Sequence, residues 1–238
     1  MLVVERLTKH FGGVKAVQAV DLTVRDREIL GLIGPNGSGK STIVNLVTGV
    51  FAPTAGRVRF RGRDITRLQP HRVLAAGIGR TFQNIRLFGR LTVWQNLWVV
   101  EPAKAGRDGG RPGRWLTSDH GRIREIEATL DFCRLLDKKE ELARNLAFGE
   151  QRRLELARAL AAAPALLLLD EPAAGMNAAE IDELRQRILA IRQGGTTVVL
   201  IEHHMELVMA IADRVAVLNF GEKIAEGPPA AIQDDERV

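Results

Sequence analysis

Gly34-Pro35-Asn36-Gly37-Ser38-Gly39-Lys40-Ser41 constrains this chain more than any other segment. It fits the phosphate-loop pattern G-x-x-x-x-G-K-[ST]. It also follows the apolar run Ile29-Leu30-Gly31-Leu32-Ile33 and precedes a helical pattern with Ile43, Leu46 and Val47 on one face. A continuous apolar run of that length reads as a buried parallel strand. Strand, glycine-rich turn and helix in that order allow backbone N–H groups to close on phosphate oxygens. The helix N-terminus adds partial positive charge at the same point. Gly34, Pro35, Asn36, Gly37, Ser38, Gly39, Lys40, Ser41 and Thr42 are therefore candidate nucleotide-binding residues. Lys40 would reach the β- and γ-phosphates, and the Ser41 hydroxyl would ligate Mg²⁺. A glycine-rich turn that binds nothing is the plain alternative.

The rest of the chain supplies the frame for such a loop. Val20, Leu22 and Val24 alternate with polar residues, and residues 2–33 read as strands. Arg57 to Phe60 reads as a short strand, Arg61 to Asp64 as a turn, and a helix is expected from Pro70 to Gly77. Between Leu87 and Ala163 strand signals vanish, and Ile123, Ile126, Leu130, Cys133 and Leu136 recur at helical spacing. Residues 102–121, rich in glycine and proline, read as a surface loop. Strands return at Leu166–Leu169, Thr196–Ile201 and Arg214–Leu218, alternating with helices around Ile181–Ile191 and Met205–Ala212. Such alternation implies a mostly parallel sheet with crossover helices, so the fold class is α/β. The helical stretch reads as an insertion into that core.

Leu166-Leu167-Leu168-Leu169 ends in Asp170-Glu171. A buried parallel strand delivers its C-terminal residues to the sheet edge where ligands bind. Asp170 would then hold Mg²⁺, and Glu171 would take a proton from an attacking water. The competing reading is a helix N-cap at Asp170 with Glu171 in the first turn.

These ordered motifs resemble the ATP-binding cassette family, the ATPase subunits of ABC transporters, over essentially the whole chain. Gln83 in Thr81-Phe82-Gln83-Asn84 fits the family's Q-loop, and Leu146-Ala147-Phe148-Gly149-Glu150-Gln151 sits where its signature falls. Ala174-Gly175-Met176-Asn177 occupies the D-loop, His203 fits the switch histidine, and Phe11 fits the aromatic that stacks on adenine. The resemblance implies a P-loop NTPase core with an N-terminal antiparallel β part and an inserted α-helical subdomain. The expected division is 1–86 and 158–238 for the core and 87–157 for the insertion. It implies ATP and Mg²⁺ as cofactors, with Gln83, Glu171 and His203 in catalysis and Ser41, Gln83 and Asp170 at the metal. Ala147, Phe148, Gly149 and Glu150 would meet ATP in trans, across a head-to-tail dimer, with the signature preceding a helix over Arg152–Ala163.

The signature departs from Leu-Ser-Gly-Gly-Gln at Ala147 and Phe148, and Asn177 stands where the family usually has Asp. Together with Arg80-Thr81-Phe82-Gln83-Asn84 and Ile201-Glu202-His203-His204-Met205, these features look like the branched-chain amino acid importer ATPases. That branch implies a second ATPase subunit, two integral membrane permeases and a periplasmic substrate-binding protein. A peripheral position on the cytoplasmic face of the inner membrane follows. Ile85, Leu87 and Phe88 would receive a coupling helix of the membrane partner. An ATPase of a lipopolysaccharide-type exporter is the alternative, followed by a non-transport ABC ATPase in translation or DNA repair. A nucleotide-dependent binding module without useful turnover is a further one.

The longest apolar stretch, Ala159 to Leu169, contains Pro164 and falls short of the about 20 residues a spanning helix needs. A single cysteine, Cys133, permits no internal disulfide and no multi-cysteine zinc site; its apolar helical neighbours place it in a core. The net charge of +5 permits an anionic partner, yet the one defined anion site suits a nucleotide triphosphate, and no nucleic acid is expected. The arginines at 57, 59, 61, 63, 67 and 72 read as a solvated strand face and loop.

Overall fold

A computed structural model describes residues 1–100 and 120–238. The loop expected at 102–121 lies outside them up to residue 119, and its last two residues already belong to a helix.

Three apolar strands form the centre: β3 (Ile29–Ile33), β7 (Leu166–Asp170) and β8 (Thr197–Ile201), every residue of them buried. They pair in parallel, Leu30 with Val199 and Leu168 with Val199. The sheet extends to β9 (Arg214–Asn219) beside β3 and to β6 (Ile78–Arg80) beside β7. The antiparallel strand β10 (Glu222–Gly227) closes the far edge, giving the order β10-β9-β3-β8-β7-β6. A second, antiparallel sheet has the order β2-β1-β4-β5. It is built from β1 (Leu2–Phe11), β2 (Val14–Val24), β4 (Ala55–Phe60) and β5 (Arg63–Asp64). The turn expected at Arg61–Asp64 is thus tighter: Arg63 and Asp64 already pair with Phe60 and Arg59.

The period-two alternation of strand side chains sorts consecutive leucines into two cores. Leu30, Leu32, Leu166 and Leu168 face the antiparallel sheet and α1 (Lys40–Val47), where they meet Leu2, Val20, Ile43 and Leu46. Ile29, Leu167, Leu169 and Leu200 face the other way, against α6 (Ala178–Gln193) and α7 (Met205–Ile211) through Leu184, Ile188 and Leu207. Each such fully buried side chain contributes about 1.5–3 kcal/mol before entropy is counted. Two short helices, α2 (Pro70–Ala76) and α8 (Pro229–Gln233), flank the strand ends.

A third core unites α3 (Val93–Trp98), α4 (His120–Phe132) and α5 (Phe148–Ala161) through Val93, Leu97, Ile126, Leu130, Cys133 and Leu154. Helix α5 serves two cores. Leu154 and Ala157 face the helical one, while Leu156 and Ala159 face the sheet. The division expected at residue 157 therefore falls inside one helix. Its start differs too: α5 begins at Phe148, so the signature residues form its first turn instead of preceding it.

Burial pushes the Cys133 thiol up to about 12. The thiolate is the reactive form. Folded protein should therefore stay unlabelled by an aromatic disulfide reagent at neutral pH and react once denaturant is added. Rapid labelling of the native chain would show that the helical core opens readily.

Candidate nucleotide-binding site

The loop from Gly34 to Gly39 joins β3 to α1 at the C-terminal edge of the parallel sheet. Gly34, Gly37 and Gly39 all take positive φ, 144°, 80° and 104°. Packing adds a second demand at two of them. A Cβ on Gly34 would come within 2.1 Å of the Leu218 carbonyl oxygen, and one on Gly39 within 2.6 Å of the Ala16 carbonyl oxygen. The glycines thus let the loop seat against β9 and β2. The Ser38 carbonyl accepts a bond from Gly221 N–H at 3.1 Å, which pins the loop to the β9–β10 turn. Pro35, Asn36 and Gly37 remain exposed, while Ser41 and Thr42 are half-buried at the start of α1. The first N–H groups of any helix lack helical acceptors, so α1 presents donors here.

Lys40 is buried, and its Nζ donates to the carbonyl oxygens of Gly34 at 2.7 Å and Pro35 at 2.9 Å. Burial lowers its pKa, against the pull of Glu171 and Asp170, whose charges favour the ammonium. Asp170 closes β7 with only 3% exposure. Burial raises its pKa, opposed first by the Arg80 guanidinium, whose Nη2 lies 3.4 Å from Oδ2. The other oxygen, Oδ1, is buried without a hydrogen-bond partner, as is Ser38 Oγ. A carboxylate oxygen so enclosed calls for a cation or a metal-bound water. No helix begins at Asp170, so the N-cap reading fails; α6 starts at Ala178.

Glu171 takes a left-handed backbone, φ 50°, with its N–H bonded to the Ile201 carbonyl at 2.9 Å. Gln83 Nε2 donates to Glu171 Oε2 at 2.9 Å. Two residues 88 apart in sequence therefore share one bond at the sheet edge. His203 is exposed, with its N–H on Glu202 Oε2 at 3.0 Å. Phe11, at the end of β1, is 42% exposed and packs edge-on against Phe51.

Sequence reasoning passed over two residues. Glu202 is fully buried and accepts from the backbone N–H groups of Ala173 at 2.7 Å, His203 at 3.0 Å and His204 at 3.3 Å. It ties the segment after Glu171 to the segment carrying His203. The signal was available, an acid directly after a buried strand, as at Glu171. Arg80 is the other, its only signal being a cation placed before Gln83.

Ala147 sits at the N-cap of α5, where Glu150 Oε2 accepts from its N–H at 3.0 Å. Lys138, 2.7 Å from Glu150, lowers that carboxyl's pKa. Phe148 is 52% exposed under the Arg152 guanidinium, and a Cβ on Gly149 would lie 2.9 Å from Glu180 Oε1. Among the described residues no hydrogen bond or ion pair joins Ala147–Glu150 to Gly34–Thr42. Asn177 caps α6, accepting from Glu180 N–H at 3.1 Å, so its side chain has a structural task within the chain.

The profile of the family described as ABC transporter matches residues 17–174. The chain belongs to the ABC transporter family. Its relatives include the high-affinity branched-chain amino acid transport ATP-binding protein BraF of Pseudomonas aeruginosa, 39% identical over all of this cassette and 95% of that protein. The lipopolysaccharide export system ATP-binding protein LptB of Haemophilus influenzae is 34% identical, with the same coverage. A nucleotide-free ATP-binding cassette from an ABC transporter superposes with a TM-score of 0.87 at 30% identity, covering 100% of this chain and 96% of that one. The dimeric structure of a bacterial ABC transporter cassette gives 0.83 at 25% identity, covering 96% and 99%. The α/β cassette fold read from the motifs is thereby established. No helix among the described residues is long and apolar enough to cross a membrane.

Proposed function

We propose that this cassette is the ATP-hydrolysing subunit of an importer for branched-chain amino acids. The convergence of Gln83, Glu171, Asp170 and Lys40 at one sheet edge carries the chemistry. The full-length identity to BraF supports the cargo, since no residue at the site would read an amino acid side chain.

Lys40 and the backbone N–H groups of Asn36–Thr42 bind the triphosphate, and Phe11, 42% exposed, offers its ring to adenine. Ser41, Asp170 and Gln83 would hold Mg²⁺, whose charge would screen the phosphates. Glu171 takes the proton of the attacking water while Gln83, bonded to it, orients both. His203 donates to the γ-phosphate as charge develops. Ala147, Phe148, Gly149 and Glu150, which no hydrogen bond or ion pair among the described residues ties to the loop, would meet the ATP of a second cassette. Without a serine hydroxyl at 147, that contact falls to backbone N–H groups at the start of α5. Half-buried Ile85 and Leu87 with exposed Phe88 form the surface for a permease helix. Two permeases and a periplasmic binding protein complete the complex at the cytoplasmic face of the inner membrane.

The test is reconstitution. The cassette coexpressed with the two permease subunits of a branched-chain amino acid importer should copurify with them in detergent. In liposomes with the binding protein outside and ATP inside, it should drive leucine uptake. Lipopolysaccharide extraction in place of uptake would move it to the exporter branch, and copurification with ribosomes alone would reject transport.

A further inference from the structure

Arg80 ends β6, three residues before Gln83, and its guanidinium joins three parts of the site. It is nearly enclosed, with 11% side-chain exposure. Nη1 donates to Asn45 Oδ1 at 2.8 Å, on α1, and to Thr48 Oγ1 at 3.0 Å, at the C-cap of that helix. Nη2 faces Asp170 Oδ2 at 3.4 Å, and Nε donates to the Thr81 carbonyl at 3.3 Å. The group also stacks on Phe82, 4.4 Å from the ring centroid. Asn45 and the C-cap residue Thr48 follow Ser41 by four and seven positions, so all three line one side of α1 and its end. One planar group therefore spans the helix face that carries Ser41 and the strand end that carries Asp170. It holds Oδ2, leaving Oδ1 buried and free of protein partners.

We propose that Arg80 is a positioning residue for ATP hydrolysis, setting the geometry between Ser41 and Asp170 at the metal they share. The proposal rests on the ATPase reading above. A fixed positive charge beside a cation site weakens cation binding by simple Coulomb repulsion. Attraction of the metal is thus not its role; its rigid fork of donors is. Lysine cannot reproduce that fork, because its ammonium is a point charge on a flexible stem. A purely structural counter-ion would behave differently, since its loss lowers stability without changing the metal requirement.

Two variants separate these cases. Arg80→Lys keeps the charge and loses the fork. Asn45→Ala/Thr48→Val keeps Arg80 and Asp170 and removes both anchors, on α1 and at its C-cap. Groups that orient metal ligands typically change metal affinity or activity by about 10–100-fold. Arg80→Lys should raise the Mg²⁺ concentration for half-maximal hydrolysis by about that factor, with ATP affinity in EDTA unchanged. The double variant should shift it in the same direction. With Mn²⁺ in place of Mg²⁺, the electron paramagnetic resonance spectrum of the ATP complex should change in both. A wild-type Mg²⁺ dependence and Mn²⁺ spectrum in the double variant overturns the proposal, whatever Arg80→Lys does, including failing to fold. If the unaltered cassette and its permeases show no Mg²⁺-dependent hydrolysis, the ATPase reading itself fails, which is a separate result.

Discussion

Glu171→Gln should bind ATP as tightly as the unaltered cassette and hydrolyse it about 10²–10⁴-fold more slowly, the usual worth of a positioned general base. The substitution is nearly isosteric, and its amide oxygen can still accept from Gln83 Nε2, which meets Glu171 at 2.9 Å. The backbone at 171 asks nothing new: its left-handed φ of 50° and the bond from its N–H to Ile201 depend on the main chain. What vanishes is the capacity to take a proton. Phosphate release and ATP binding by calorimetry check the two halves of the expectation. Undiminished turnover removes Glu171 from the base role. Loss of both binding and turnover would instead mean that the carboxylate supports the site's shape.

The contrast between Asp170 and Glu171 explains why this site was readable in part. An apolar run ending in two acids announces a buried strand with carboxylates at its tip, and that much needs only alternation and length. Which oxygen of Asp170 is held and which is free depends on Arg80, which reaches it across 90 positions of sequence. Its strand, Ile78–Arg80, is three residues long, too short for any periodicity to register. Strand β10, Glu222–Gly227, was missed for a related reason. It is a short edge strand with three charged residues, only Ala225 fully buried, and carries no hydrophobic pattern to detect. Glu202 follows a buried strand, a visible signal, but the three backbone N–H groups that occupy its carboxylate come from two segments that only the fold brings together. The signature residues show the opposite limit. Their order in the chain identified them, but the start of α5 at Phe148 is set by local capping between Glu150 and the Ala147 N–H, in the absence of a serine.

Lys40→Ala should weaken ATP binding by about 10²–10³-fold, since truncating one member of a buried, hydrogen-bonded charge contact costs about 2–5 kcal/mol. Its ammonium rests on the Gly34 and Pro35 carbonyls, at 2.7 and 2.9 Å, within a site whose two acids favour its charge while burial opposes it. A triphosphate arriving at the loop supplies better anionic partners than two neutral carbonyls, so the lysine interacts more strongly with the bound state than with the empty loop. That difference, and not the charge alone, sets the expected loss. Removing the side chain also frees the two carbonyls to water at an exposed loop, so the fold should persist, with circular dichroism and melting close to the unaltered chain. Lys40→Arg should fail as well, because a longer planar group cannot sit where the ammonium does without displacing Gly34 or Pro35. ATP affinity retained in Lys40→Ala, measured by calorimetry in the presence of Mg²⁺, would show that Gly34–Ser41 is not where the triphosphate binds.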